Sequence, residues 1–151
     1  MTDDNPVPTE ARSPSPLKTY LVEDSSVIRD NLLGWLGDTV PIDVLGSAVD
    51  EASAVEWLQA HGTECDLVII DIVLKAGSGL GVLAACRERV GEGQWIVLSN
   101  HATIDIRQKC IELGADAVFD KSNEIDSLLL YCKRLAGMDP IGDAKNSLAS
   151  A

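Results

Sequence analysis

The chain has 151 residues, 46% of them hydrophobic, enough apolar material for one globular domain with a sizeable core. Its 24 acidic residues against 12 basic ones give a formal charge of −12, which argues against nucleic-acid binding through a phosphate-neutralising face. No apolar run approaches the ~20 residues of a membrane span. Met1 to Pro16 lacks the basic start and apolar core of a secretory signal. Together these features point to a cytoplasmic protein.

Residues 1–16 hold four of the six prolines among Ser, Thr, Asp and Asn, the composition of a disordered leader. The globular part is expected over 17–136, with a flexible tail over 137–151. The first strand candidate is Leu17 to Val22, running into Glu23-Asp24. Ser25 can cap a helix whose apolar positions, Val27, Ile28, Leu32, Leu33, Trp35 and Leu36, keep helical spacing up to Gly37-Asp38. Ile42 to Ala48 reads as a second strand. Asp50 to His61 reads as a second helix with Ala52, Val55, Trp57 and Leu58 inward and Gly62 as its cap. Leu67-Val68-Ile69-Ile70 is a continuous apolar run that ends in Asp71, the pattern of a strand buried on both faces. Gly79 to Arg89 reads as a third helix carrying Leu80, Leu83, Ala84 and Cys86 inward. Trp95 to Leu98 is a fourth strand ending at Ser99-Asn100-His101, and Ile104 to Leu113 a fourth helix stopped by Gly114. Asp116 to Phe119 is a short fifth strand before Asp120-Lys121-Ser122. Asn123 to Leu135 is the last helix, with Ile125, Leu128, Leu129 and Cys132 on one face.

Five β-α units with short loops imply a parallel sheet with helices on both faces and right-handed crossovers. The fitting architecture is a flavodoxin-like (βα)5 three-layer sandwich with strand order 2-1-3-4-5. The four cysteines, Cys65, Cys86, Cys110 and Cys132, are more than twenty residues apart. That spacing fits no zinc or redox motif and reads as small buried hydrophobes.

In that strand order the first, third, fourth and fifth strands are neighbours. Their carboxyl ends bring Glu23-Asp24, Asp71, Ser99 and Lys121 to one rim, the place where open α/β sheets bind ligands. Carboxylates that cannot disperse their charge invite a hard divalent cation with oxygen ligands, most naturally Mg²⁺. Such a cation, with open water positions, can accept a phosphoryl oxygen, and one carboxylate can attack phosphorus to give an aspartyl phosphate. Lys121 and the Ser99 hydroxyl would each take an oxygen of the transferring group.

These residues resemble the receiver domains of two-component response regulators over roughly Lys18 to Leu135. The resemblance rests on Val22-Glu23-Asp24-Ser25, Ile69-Ile70-Asp71 with Gly79 eight residues on, Val97-Leu98-Ser99, and Gly114-Ala115-Asp116-Ala117 leading to Phe119-Asp120-Lys121-Ser122. It implies that Asp71 accepts a phosphoryl group from a histidine kinase or a histidine phosphotransfer protein. Asp24 would ligate Mg²⁺ directly, Glu23 largely through water, and Val73 through its backbone carbonyl. Lys121 would contact the phosphoryl group and Ser99 would swing toward it. The protein would be a single-domain response regulator rather than an enzyme, signalling to a downstream protein or relaying its phosphoryl group.

Three positions depart from the family pattern. Lys75 stands where a proline is usual, which leaves the loop after Asp71 less rigid. Ser122 replaces a second proline. Val118 stands where an aromatic ring usually turns inward with the hydroxyl, and strand alternation should aim Phe119 at the opposite face. The rival reading is a receiver-shaped interaction module that does not use phosphate, in which Asp71→Asn would leave partner binding unchanged. A flavin at the same rim is disfavoured because the carboxylates would repel its phosphate. His101 lies near the rim and could govern water access, or be a plain surface residue.

Overall fold

The computed structural model describes residues 16–89 and 91–138. The leader, apart from Pro16, and the tail beyond Met138 lie outside the described residues. The strands are β1 (Leu17–Val22), β2 (Ile42–Ala48), β3 (Leu67–Asp71), β4 (Gln94–Ser99) and β5 (Ala117–Asp120). The helices are α1 (Ser26–Gly37), α2 (Glu51–His61), α3 (Gly79–Ala85), α4 (Ile104–Glu112) and α5 (Ile125–Leu135). All strand pairs are parallel, and the sheet order is β2-β1-β3-β4-β5. This is the expected flavodoxin-like arrangement.

The centre of the sheet follows from side-chain chemistry. All five residues of β3 are buried, with β1 and β4 on either side. Alternation sends Val68 and Ile70 into one core with Val22, Val82, Leu83 and Val97. Leu67 and Ile69 enter the other with Leu21, Leu36, Ile96 and Leu128. Each fully buried aliphatic side chain contributes about 1.5–3 kcal/mol, so two dry cores flanking one strand fix its register firmly. The four cysteines are free and buried, as their spacing implies.

Helix faces differ from the sequence reading in three places. In α2 the fully buried residues are Ala54 and Leu58, one turn apart, while Ala52 is exposed in the first turn. In α3 the inward face is Gly79, Val82, Leu83 and Cys86, and Ala84 is exposed. The reason is an anchor at the start of the helix. A Cβ on Gly79 would overlap the carbonyl oxygen of Asp71, so Gly79 must face the sheet and carries Val82 and Leu83 round with it. The helix also stops at Ala85 rather than reaching Arg89.

Gly62 follows α2 but keeps right-handed backbone angles, with φ −59°, and the chain tightens into a 3-10 turn over Gly62–Glu64. The glycine is therefore not a left-handed cap. A Cβ there would sit 3.5 Å from the Trp95 ring. In α1, Ser25 caps as expected, its side chain accepting the Ile28 amide at 3.2 Å. Val27 and Ile28, however, point outward, Val27 being 67% exposed. Trp95 is buried; Trp57 and Trp35 are partly buried against the two cores, with Trp57 stacked on Tyr20 at 4.1 Å. No helix among the described residues is long and apolar enough to cross a membrane.

Candidate functional site

Glu23 directly follows β1, and Asp71 and Ser99 are the last residues of β3 and β4. Lys121 follows β5, its amide donating to the Ser99 carbonyl at 2.8 Å. Parallel pairing with closely matched ends carries all four to the same rim. Glu23, Asp71 and Ser99 are three of the four buried polar residues of the described chain, the fourth being Thr19. Burying a carboxylate is costly without a counter-charge, so this concentration marks a site rather than a surface.

The counter-charge is Lys121. Its Nζ donates to Asp71 Oδ2 at 3.0 Å and to Glu23 Oε1 at 3.2 Å. Burial alone would lower the Lys121 pKa, but the hydrogen bonds and charges of Asp71 and Glu23 together outweigh it and raise it. Glu23 is also raised. Burial is the main cause and the charge of Asp71 adds to it, while the Ser25 amide, donating to Oε2 at 3.1 Å, and Lys121 oppose it. Glu23, Asp24 and Asp71 each offer a carboxylate oxygen, and those oxygens lie within 4.8 Å of one another. One ammonium among three carboxylates leaves negative charge in excess. An all-oxygen set of this charge suits a hard divalent cation such as Mg²⁺.

The remaining predicted residues are placed as follows. Val73 is the second residue of the loop after β3, and its amide donates to Asp71 Oδ1 at 3.3 Å. The Ser99 hydroxyl accepts the His101 amide at 3.2 Å, so it is held by its own loop. The His101 side chain is exposed. Val118 packs toward the core on the α2–α3–α4 side, and Phe119 packs toward the other, edge-on to Tyr131. The valine thus leaves the usual ring position without a ring, and Phe119 does not fill it.

Sequence reasoning missed a second network beside the rim. Arg107 of α4 donates to the carbonyls of Ala102 (2.9 Å) and Val118 (3.2 Å) and to Glu124 Oε1 (2.8 Å). Glu124 Oε1 also accepts the Asp120 amide at 2.9 Å, and Asp120 Oδ2 accepts the Ala102 amide at 3.2 Å. These bonds tie the loop after Ser99 to the loop carrying Lys121. Asp120 and Glu124 are both held below their ordinary values, Asp120 chiefly by Ser122 and Glu124 chiefly by Arg107. The only sequence hint was Asp120 beside Lys121; the arginine comes from a different helix.

A five-stranded parallel sheet in this order, with three carboxylates and a lysine at its carboxyl rim, defines an α/β domain of flavodoxin-like fold with an acidic site at its rim. The sequence matches the response regulator receiver domain family over residues 20–133, and the chain belongs to that family. It is 29% identical over 118 residues to a protein-glutamate methylesterase/protein-glutamine glutaminase of Koribacter versatilis, covering 77% of this chain and 32% of that protein. The chain therefore spans about a third of that relative's length. The fold also matches the response regulator domain of Thermotoga maritima CheB (TM-score 0.69, 20% identity, 83% of this chain and 100% of that one). A phosphorylated cyanobacterial phytochrome response regulator, RcpA, matches with TM-score 0.64 and 24% identity, over 80% of this chain and 91% of that one. Receiver domains in general take a phosphoryl group at an acidic, Mg²⁺-binding pocket and interact with histidine kinases and phosphotransfer proteins; the Glu23-Asp24-Asp71 cluster is consistent with such a pocket.

Proposed function

We propose that Asp71 is the phosphoacceptor of a cytoplasmic response regulator that acts through protein contacts and not as an enzyme. The observation that carries this reading is the Lys121 ammonium shared between Asp71 and Glu23, with Asp24 alongside, at adjacent strand ends. An Asp71 oxygen attacks phosphorus and the bond from phosphorus to its donor breaks. With a phosphohistidine donor the electron pair stays on the imidazole nitrogen. Asp24, Asp71, Glu23 and the Val73 carbonyl are the groups that would hold Mg²⁺. When bound, that cation neutralises charge on the transferring oxygens. Lys121 is poised to exchange its carboxylate partners for a phosphoryl oxygen. Ser99 takes another once its hydroxyl leaves the His101 amide.

The donor is a histidine kinase or a histidine phosphotransfer protein. Exposed apolar side chains supply the contact such a donor needs. Val27, Ile28, Val73 and Ile104 all follow a rim residue closely in the chain, and Ile104 is 76% exposed. Ile28 also lines an open, mostly apolar groove of about 310 Å³ together with Leu32, Trp35, Leu98 and Ile125, and with Asn31 and Lys121 as its polar members. Phosphorylation then shifts the population of the loops carrying Ser99 and Lys121, and a downstream protein reads the result or receives the group.

Incubation with acetyl phosphate and Mg²⁺ should add one phosphoryl group by intact mass. Asp71→Asn or chelation of the cation should abolish the adduct. The rival interaction module is favoured by Val118, which supplies no ring to couple site and surface. It requires wild type to show no adduct, and Asp71→Asn to leave partner binding unchanged.

A further inference from the structure

The loop between Asp71 and α3, residues 72–78, contains no proline, and Lys75, Ala76 and Gly77 are all exposed. Its outer half is nonetheless held, from another part of the chain. Glu51, the first residue of α2, donates its amide to the Ala76 carbonyl at 3.1 Å, and its Oε1 accepts the Ser78 amide at 2.9 Å. Two glycines make room for this carboxylate. A Cβ on Gly77, whose φ is +82°, would overlap Glu51 Cβ, and a Cβ on Gly81 would overlap the Glu51 carboxylate itself. Ser78 in turn bridges to Val73 across the loop, and the Gly79 amide donates to the Ile72 carbonyl at 2.8 Å. The hold therefore passes from Glu51 through Ser78 to Val73, whose amide meets Asp71.

We infer that Glu51 is a positioning residue for the phosphoacceptor loop: seated between Gly77 and Gly81, it sets the Val73 backbone and thereby the affinity of the site for Mg²⁺. This inference rests on the reading of Asp71, Asp24 and Val73 as the cation-binding group. The slot explains why a short helix carries glycine at its third position, where alanine would favour the helix. The atoms nearest an alanine Cβ at Gly81 all belong to the movable end of the Glu51 side chain. It would therefore displace the carboxylate from Ser78 rather than break the helix.

The test is a Mg²⁺ titration by calorimetry on the whole chain, with amide exchange of residues 73–78 recorded in parallel. Glu51→Ala and Gly81→Ala should each weaken Mg²⁺ binding about tenfold, the size of effect that partners behind metal ligands have. Both should also speed exchange at Ser78. Glu51→Gln keeps an acceptor oxygen and should bind nearly as wild type. The double variant Glu51→Ala/Gly81→Ala should be no weaker than Glu51→Ala alone, since the carboxylate that Gly81→Ala displaces is already gone. Raising Mg²⁺ should restore the phosphorylation rate of each variant, which a misfolded site would not allow. Unchanged Mg²⁺ affinity in folded Glu51→Ala, or additive losses in the double variant, would overturn the inference. Absence of Mg²⁺ binding by wild type would instead overturn the phosphoacceptor reading, and this inference with it.

Discussion

The two ends of the sheet use carboxylates in opposite ways. At the amino end, Asp66 accepts the Lys18 amide at 2.9 Å, and Asp116 accepts the Trp95 amide at 2.7 Å with Arg89 at 3.2 Å. Those acids stand apart and tie down backbone groups where strands begin. At the carboxyl end Glu23, Asp24 and Asp71 crowd together, with the Lys121 ammonium bonded to Glu23 and Asp71. The first arrangement satisfies hydrogen bonds and stabilises the fold. The second concentrates like charge in a partly dry place, which costs stability until a cation or phosphoryl chemistry uses it.

The largest contrast should come from removing the one counter-charge. Lys121→Met leaves two buried carboxylates facing each other, and should cost about 3 kcal/mol in urea denaturation at neutral pH. Added Mg²⁺ should recover much of that loss. At the other end, Asp116→Ala removes an acceptor for the Trp95 amide and a partner for Arg89, and should cost about 1–2 kcal/mol. Mg²⁺ should not repair that loss, and phosphorylation should proceed at the wild-type rate. Equal rescue of both variants by Mg²⁺ would erase the distinction between the two ends.

A smaller effect should appear with pH. The folded pKa of Glu23 lies above its ordinary value, chiefly through burial, so the native state holds this proton more tightly than the unfolded chain. The stabilisation it contributes is complete below the ordinary glutamate value and is lost as pH rises through the folded value. Lys121, raised in the folded state, contributes stability below the ordinary lysine value that is lost as pH climbs through its folded value. Glu23→Gln should therefore be slightly more stable than wild type at neutral pH without Mg²⁺. Its Mg²⁺ affinity should also lose the part of the acid-side decline that Glu23 protonation causes. A metal-free wild type more stable than Glu23→Gln at neutral pH would contradict this assignment.

The sheet order and the rim were legible because both rest on local pattern. The short, β-branched apolar run Leu67 to Ile70 ending in Asp71 fits a strand buried on both faces, and the same logic delivers Ser99 and Lys121 to its neighbours. What was hidden depended on contacts between distant segments. Gly79 pressing on the Asp71 carbonyl turned α3 so that Val82, and not Ala84, faces inward. Periodicity alone leaves a helix free to rotate by one residue when small apolar residues surround its stripe. Val27 and Ile28 fit the inward pattern of α1 yet lie exposed. Nothing in the local pattern connects Glu51 with Gly77 or Gly81. Their relation exists only once α2 and α3 lie side by side. The link from Arg107 to Glu124 is of the same kind.

The central claim is that charge crowded at the carboxyl rim makes Asp71, and no neighbouring acid, the phosphoacceptor. The most direct measurement is borohydride reduction of the chain after acetyl phosphate and Mg²⁺, which converts an aspartyl phosphate to homoserine, followed by peptide mapping. Homoserine at position 71, absent without Mg²⁺ and sharply reduced in Lys121→Met, is the predicted result. Homoserine at Asp24, or 2-amino-5-hydroxyvaleric acid at Glu23, in place of homoserine at 71, or no reduced residue at any position, would contradict it.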